Sequence, residues 1–279
     1  MPIFLPFAAF IALSACRPAP AIPIPGKPEP ATAPVIAPSP SEPSPSAPAF
    51  RILPTARAVI SRKTVSGIKF EGVSFDSRSH QLLVVDQAKG PGSEFATSAD
   101  AARKNRALLA INAGFFTPEG KPLGLVVSNG KSAGAWNSAS SLGNGIYRES
   151  SAGAASISRR GSRSVTSDAK QLLQAGPLLL ENGNRISELN NSKTALRSIL
   201  LTDGGTRWWI GKTSPCTLAA LGSALASGSP AAWKAQNALN LDGGRSTDLF
   251  ISSSIPCGPV NRRGFLNRPV RNFLILKRR

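Results

Sequence analysis

Short apolar runs that end in glycine-marked turns recur along this chain, and they constrain its fold more than any other feature. Ala107-Leu108-Leu109-Ala110-Ile111-Asn112 runs into Ala113-Gly114, residues 196–202 run into Asp203-Gly204-Gly205, and Ala238-Leu239-Asn240-Leu241 runs into Asp242-Gly243-Gly244. Apolar runs of this length, bounded by glycine, are too short for helices and read as strands. Residues 67–75 alternate as a half-buried strand, with residues 81–86 as a buried partner. Residues 124–131 and 176–183 are strands entering tight turns, residues 196–202 and 206–210 form a hairpin, and residues 271–276 close the chain as a strand. Helix signals are fewer: residues 98–106, with Ser98 as the cap, residues 217–226, and a helix opened by Ser229-Pro230 and carrying Trp233. Strands outnumber helices and do not alternate regularly with them. That predicts one α+β domain on a largely antiparallel or mixed sheet, not a doubly wound one.

The domain is expected to occupy residues 50–279. Ahead of it, residues 3–13 form an apolar run too short to span a bilayer, followed by Leu13-Ser14-Ala15-Cys16, which looks like a bacterial lipobox. Residues 1–16 therefore read as a lipoprotein-type signal segment and Cys16 as the lipid-bearing residue. That implies a membrane anchor in the bacterial cell envelope, facing the periplasm or the exterior. No Lys or Arg precedes Cys16, so an ordinarily cleaved signal is the other reading. Residues 17–49 are mostly Pro, Ala and Ser, a composition that builds no core. As a polyproline II tether they reach roughly 100 Å at about 3.1 Å per residue.

With Cys16 set aside, Cys216 and Cys257 flank the Asp242 segment. An oxidising compartment favours a disulfide between them; two buried free thiols are the alternative. The formal net charge is +18, with clusters at Arg159, Arg160 and Arg163 and from Arg262 to the closing Lys277-Arg278-Arg279. Such charge favours anionic partners: nucleic acid, lipid head groups or phosphate-bearing polysaccharide. Aromatic residues are not interleaved with the basic ones and no nucleic-acid module appears, so no nucleic-acid partner is expected.

The chain has a single histidine, His80, which reads as a surface or strand-edge residue. Ser-His-Asp, Cys-His and histidine-rich zinc sites would all have to use it, so those classes lose their support. No P-loop, dinucleotide fingerprint or EF-hand loop occurs, and neither metal nor cofactor is expected. What remains are polar groups presented by turns at strand ends: Asn112, Gly176, Arg197, and Asp242 with Arg245 and Ser246. An Asp before Gly also caps its own turn, and a strand-end Arg also serves as a solvated or ion-paired residue.

Ile111-Asn112-Ala113-Gly114-Phe115-Phe116, residues 124–130, Ala175-Gly176-Pro177-Leu178-Leu179, Arg197 and residues 238–247 occur in the order and type that resemble the phosphodiester glycosidase domain family. The resemblance implies an α+β domain that hydrolyses a sugar-1-phosphodiester in a surface glycan or a phosphate-containing polymer. It implies Asp242 and Arg197 as catalytic groups, with Asn112, Gly114, Gly176, Gly243, Gly244, Arg245 and Ser246 shaping the substrate pocket. Arg245 stands where the family usually has a third glycine. A catalytically silent phosphoglycan-binding envelope lipoprotein is the alternative that this substitution keeps open.

Overall fold

The computed structural model describes residues 57–161 and 166–279. Cys16, the 17–49 tether and Arg163 lie outside the described residues. In chain order the first strands are β1 (Val59–Val65), β2 (Ile68–Asp76) and β3 (His80–Asp86), followed by helix α1 (Ser98–Lys104). Next come β4 (Leu109–Asn112), β5 (Val126–Ser128), β6 (Lys131–Ala133), β7 (Gly145–Ser150), β8 (Ala155–Arg159), β9 (Ala169–Ala175), β10 (Leu178–Glu181) and β11 (Asn184–Arg185). The hairpin β12 (Ser198–Thr202) and β13 (Arg207–Thr213) leads to helix α2 (Leu218–Ser227). The chain ends with β14 (Asn237–Asn240), β15 (Asp248–Ile251), β16 (Val260–Arg263) and β17 (Asn272–Arg278).

These strands form a seven-stranded sheet ordered β1-β2-β13-β12-β14-β10-β11, a five-stranded sheet ordered β16-β15-β4-β17-β3, and a second five-stranded sheet ordered β6-β5-β9-β7-β8. The strand pairs are antiparallel, so the expected α+β class holds. Alternation along each strand assigns its two faces. Leu200, Trp208, Ile210 and Leu239 of the large sheet meet Ile111, Leu249, Leu274 and Leu276 of the first five-stranded sheet in a central core, which Val126, Tyr147 and Leu173 of the third sheet complete. The alternate residues Ile199, Leu201 and Trp209 turn outward and pack beneath α2 through Leu221, Ala224 and Leu225. Ala110, Phe273 and Ile275 do the same beneath α1 through Ala101 and Ala102. Strands that are apolar on both faces are therefore sandwiched strands, as their unbroken apolar runs require.

Several expectations are corrected. Helix α1 is capped not by Ser98 but by Thr97, whose side chain accepts from Asp100 N at 3.1 Å. Ser98 is instead buried and donates through its Oγ and its N to the Asp248 carboxylate, at 2.6 and 3.0 Å. No helix opens at Ser229-Pro230: the segment before β14 is irregular. Ser229 Oγ accepts from Ala231 N at 3.1 Å, and Ser61 Oγ holds the Pro230 carbonyl at 2.5 Å. The expected disulfide is absent. Cys216 is a buried free thiol beside the seven-stranded sheet, whereas Cys257 is an exposed free thiol in the turn joining β15 and β16 of another sheet. His80 stands at the strand edge, as the first residue of the edge strand β3, but it is not on the surface: it is 3% exposed, with Nδ1 paired to Ser79 Oγ at 2.9 Å.

Asp248 locks three elements together. Besides Ser98 it accepts from Arg263 Nη1 at 2.6 Å, and its own N donates to Asn112 Oδ1 at 3.1 Å. The carboxylate is fully buried, so removing it strands two donors and a cation. Asp248→Ala is expected to cost about 3 kcal/mol or more. In a domain of this size that lowers the melting temperature by roughly 6–12 °C. A thermal melt followed by circular dichroism that moved by less than about 2 °C would contradict this role.

Candidate active site

The site forms where the chain leaves the large sheet for the first five-stranded one. Leu241 N donates to Ser198 O at 2.8 Å, still within the large sheet, and the next amide, Asp242 N, donates to Ala113 O at 2.8 Å, beyond the end of β4. Asn112 Nδ2 donates to the Asp242 carbonyl at 2.6 Å, while Asn112 Oδ1 accepts from Ser198 Oγ at 2.7 Å. The Asp242 peptide is thus clamped between two sheets, which fixes where its side chain points. Gly243 and Gly244 make the turn possible. A Cβ on Gly243 would lie 2.6 Å from Leu196 O, and Gly244 adopts φ +60°, where a side chain is strained. Gly244 N then returns to Leu196 O at 2.8 Å, and Gly244–Ser246 forms a single 3₁₀ turn.

Asp242 opens into a cleft of about 880 Å³. Its lining combines the apolar Phe115, Phe116, Leu142 and Pro177 with the basic Lys193, Arg197, Arg245 and Arg268. Among the described residues Asp242 is the only carboxylate lining it. Burial dominates its ionisation and raises its pKa from 3.8 to about 6, against hydrogen bonds from Ser246 and Gly243 N and the charge of Lys193. Gly243 N donates to Asp242 Oδ1 at 2.9 Å.

Arg197, just ahead of β12, is 8% exposed. Its Nε donates to Cys216 O at 3.1 Å and its Nη2 to Lys193 O at 2.5 Å, both carbonyls. Among the described residues no carboxylate pairs with it. Burial pushes its pKa down, which is the cost of holding a cation in the cleft wall without a counter-ion. Arg245 is held by a longer bond, Nε to Leu266 O at 3.3 Å, and Arg268 N reaches back to Arg245 O at 3.3 Å.

Of the residues picked from sequence, Asp242, Arg197, Gly243, Gly244, Arg245 and Ser246 line the cleft together. Asn112, Gly114 and Gly176 stand behind its wall. Gly114 N donates to Asn272 Oδ1 at 2.6 Å, and Gly176 O accepts from Asn240 Nδ2 at 2.8 Å. Six polar lining residues were missed: Thr117, Asn190, Ser192, Lys193 and Arg268, in loops without periodic pattern, and Asn240. Asn240 is 2% exposed, and its Oδ1 has no hydrogen-bond partner. Its place two residues before Asp242, at the end of a strand, puts both on one face and was the available signal. Among the described residues no three His, Cys, Asp or Glu side chains gather as a metal site.

The site is thus one carboxylate set among cations where two sheets of a mixed α+β domain meet. The chain belongs to the phosphodiester glycosidase family, whose model matches residues 105–277. Among solved structures it is similar to the catalytic domain of zebrafish N-acetylglucosamine-1-phosphodiester alpha-N-acetylglucosaminidase, auto-inhibited by its pro-peptide. The identity is 18%, covering 82% of this chain and 86% of that one, at a TM-score of 0.56. It is also similar to a hypothetical protein from Synechocystis at 17% identity, covering 82% of this chain and 64% of that chain, at a TM-score of 0.52. At such identities the likeness is one of fold. A comparison with curated proteins gives no match.

Proposed function

We propose that this protein hydrolyses a sugar-1-phosphodiester, freeing the sugar and leaving a phosphomonoester. Its substrate is a surface glycan or a phosphate-containing polymer of the bacterial envelope, where a lipid on Cys16 holds the enzyme. The observation that carries this reading is the pairing of one half-buried carboxylate with four cations in a single cleft. Cleaving the bond between the anomeric carbon and the phosphate oxygen puts positive character on the sugar and leaves the electron pair on phosphate. Asp242 faces the first charge, attacking the anomeric carbon or taking a proton from the attacking water. Arg197, with Lys193, Arg245 and Arg268 around it, meets the second. Phosphate is a good leaving group, so one carboxylate suffices without a separate acid. The apolar lining residues offer the sugar a surface to pack on, and Asn240 Oδ1 awaits a hydroxyl donor.

The test is release of free sugar from synthetic sugar-1-phosphodiesters by purified protein. Release of the aglycone alcohol together with sugar-1-phosphate would reject the assigned bond, and binding without turnover would favour the silent phosphoglycan-binding reading that Arg245 suggests.

The same assay carries a pH prediction. Asp242 must be ionised in either role, and a phosphodiester does not titrate near neutrality, so kcat/KM should rise with pH through about 6 and level off above. A profile that falls through this range would make Asp242 an acid and reverse its assignment.

A further inference from the structure

A second basic site lies one wall away from the cleft. It is a groove of about 460 Å³ at the end of β1, β2 and β13, lined by Arg62, Lys63, Lys69, Glu71, Lys212 and Arg262. Strand register builds it: Arg62 sits opposite Glu71, Glu71 opposite Lys212, and Lys212 opposite Ser198, so the four share one face in a row across the sheet. Arg262 arrives from β16. Glu71, the one carboxylate, is already taken: Arg62 Nε donates to it at 2.8 Å, and Arg262 donates through Nε at 2.8 Å and Nη2 at 3.2 Å. Burial pushes the Glu71 carboxyl upward, but the two guanidiniums outweigh this and hold it below the ordinary glutamate range.

Lys212 is left over. It is half-buried at the groove floor, burial lowers its pKa, and no hydrogen bond reaches its Nζ among the described residues. Lys63 and Lys69 are exposed at the groove's rim and have no carboxylate partner among the described residues. Five cations against one shared carboxylate, with a partly desolvated ammonium that forms no ion pair among the described residues and feels Glu71 only at longer range, make an anion site.

The groove and the cleft share a wall. Thr213 N donates to Arg197 O at 2.9 Å and Cys216 N to Ala195 O at 3.0 Å on the cleft side, while Ser214 N donates to Lys69 O at 2.7 Å on the groove side. One phosphodiester occupies the cleft alone, whereas a chain with repeated charges can cross the 213–216 segment and meet a second set of cations. We propose that the groove around Lys212 binds a further anionic unit of a polymeric phosphate-bearing glycan whose reacting unit sits in the cleft. This rests on the reading of the cleft given above, and it makes the substrate a polyanion, not a small diester.

The experiment uses the full chain and labelled long-chain inorganic polyphosphate as the probe, read by fluorescence anisotropy at low salt. K63Q/K69Q/K212Q should bind about tenfold more weakly than wild type, with the difference shrinking as salt screens the charges. K212R, and the control K131Q/K170Q/K234Q on other surfaces, should bind as wild type does. Hydrolysis of a small soluble sugar-1-phosphodiester should be unchanged by the groove substitutions. Should K212Q disturb folding in a thermal melt, K63Q/K69Q on exposed side chains carries the comparison, with a smaller loss expected. Equal binding by wild type and groove variants overturns the proposal. So does tighter wild-type binding to phosphatidylglycerol vesicles or to duplex DNA than to polyphosphate. A groove-dependent loss without any diester hydrolysis by wild type would instead remove the hydrolase reading and leave the groove as a phosphate-polymer site.

Discussion

Asp242→Asn is expected to lower kcat on a sugar-1-phosphodiester by about 10³ to 10⁴-fold while KM changes little. The side chain keeps its size, and its oxygen can still accept from Gly243 N, which stands 2.9 Å from Oδ1 in the wild type. What disappears is the negative charge opposite the anomeric carbon, which matters in the transition state far more than in the ground state. The same substitution should stabilise the fold, and the sign follows from the ionisation. The folded-state pKa, about 6, lies above the ordinary 3.8, so between these values the folded protein holds a proton that the unfolded chain has lost. Stability therefore falls as pH rises from the lower value to the upper and stays reduced above it, by on the order of 1–3 kcal/mol. Asp242→Asn should melt higher than wild type at pH 8 and show no such gain near pH 4. A near-wild-type turnover by a normally folded Asp242→Asn protein would remove Asp242 from the chemistry. A lower melting temperature at pH 8 would show instead that the carboxylate serves its turn.

That the sequence exposed Asp242, Arg197 and the Gly243–Ser246 turn but not Lys193, Asn240 and Arg268 has a physical reason. Strands β4, β12 and β17 carry apolar runs because both of their faces are buried, and β2 alternates polar with apolar residues, so these were readable. The sheet of β7, β8 and β9 was not, because its buried positions include Glu149, Gln171 and Gln174. Gln174 is tolerated there because Oε1 accepts from Leu125 N at 3.0 Å and Asn137 N at 2.9 Å, and Nε2 donates to Asn137 O and Gly143 O, each at 2.8 Å. No periodicity announces a side chain whose partners are loop backbone atoms. The same limit hid Lys193 and Arg268, which reach the cleft from loops remote in sequence from Asp242. Conversely, Asn112 stands out in sequence as a polar residue at a strand end, a pattern shared by a pocket ligand and by a brace. Only the three-dimensional pairing of its amide with the Asp242 carbonyl and Ser198 assigns it to the second.

Arg197→Ala is expected to lower kcat/KM by roughly a hundredfold, about 3 kcal/mol, with a rise in KM contributing a large share. A substrate phosphate is charged before the reaction begins, so its cation acts in the ground state as well as in the transition state. Asp242→Asn affects turnover, whereas Arg197→Ala should affect both constants. The structure also supplies an objection that the experiment has to answer. Arg197 holds the Cys216 and Lys193 carbonyls at 3.1 and 2.5 Å, so its loss loosens the cleft wall whether or not it binds phosphate. Inhibition separates the two effects. If Arg197 meets the phosphate, the alanine variant should lose most of its inhibition by orthophosphate and by sugar-1-phosphate, while inhibition by the free sugar stays near the wild-type level. A wall that has merely loosened would weaken all three ligands together. Arg197→Lys sharpens the contrast: it restores the charge but not the two-pronged guanidinium, so it should recover part of the phosphate inhibition and little of the hydrogen bonding to both carbonyls. Equal loss of phosphate and sugar inhibition in Arg197→Ala, with no recovery in Arg197→Lys, would confine Arg197 to the wall and pass the phosphate to Lys193, Arg245 and Arg268.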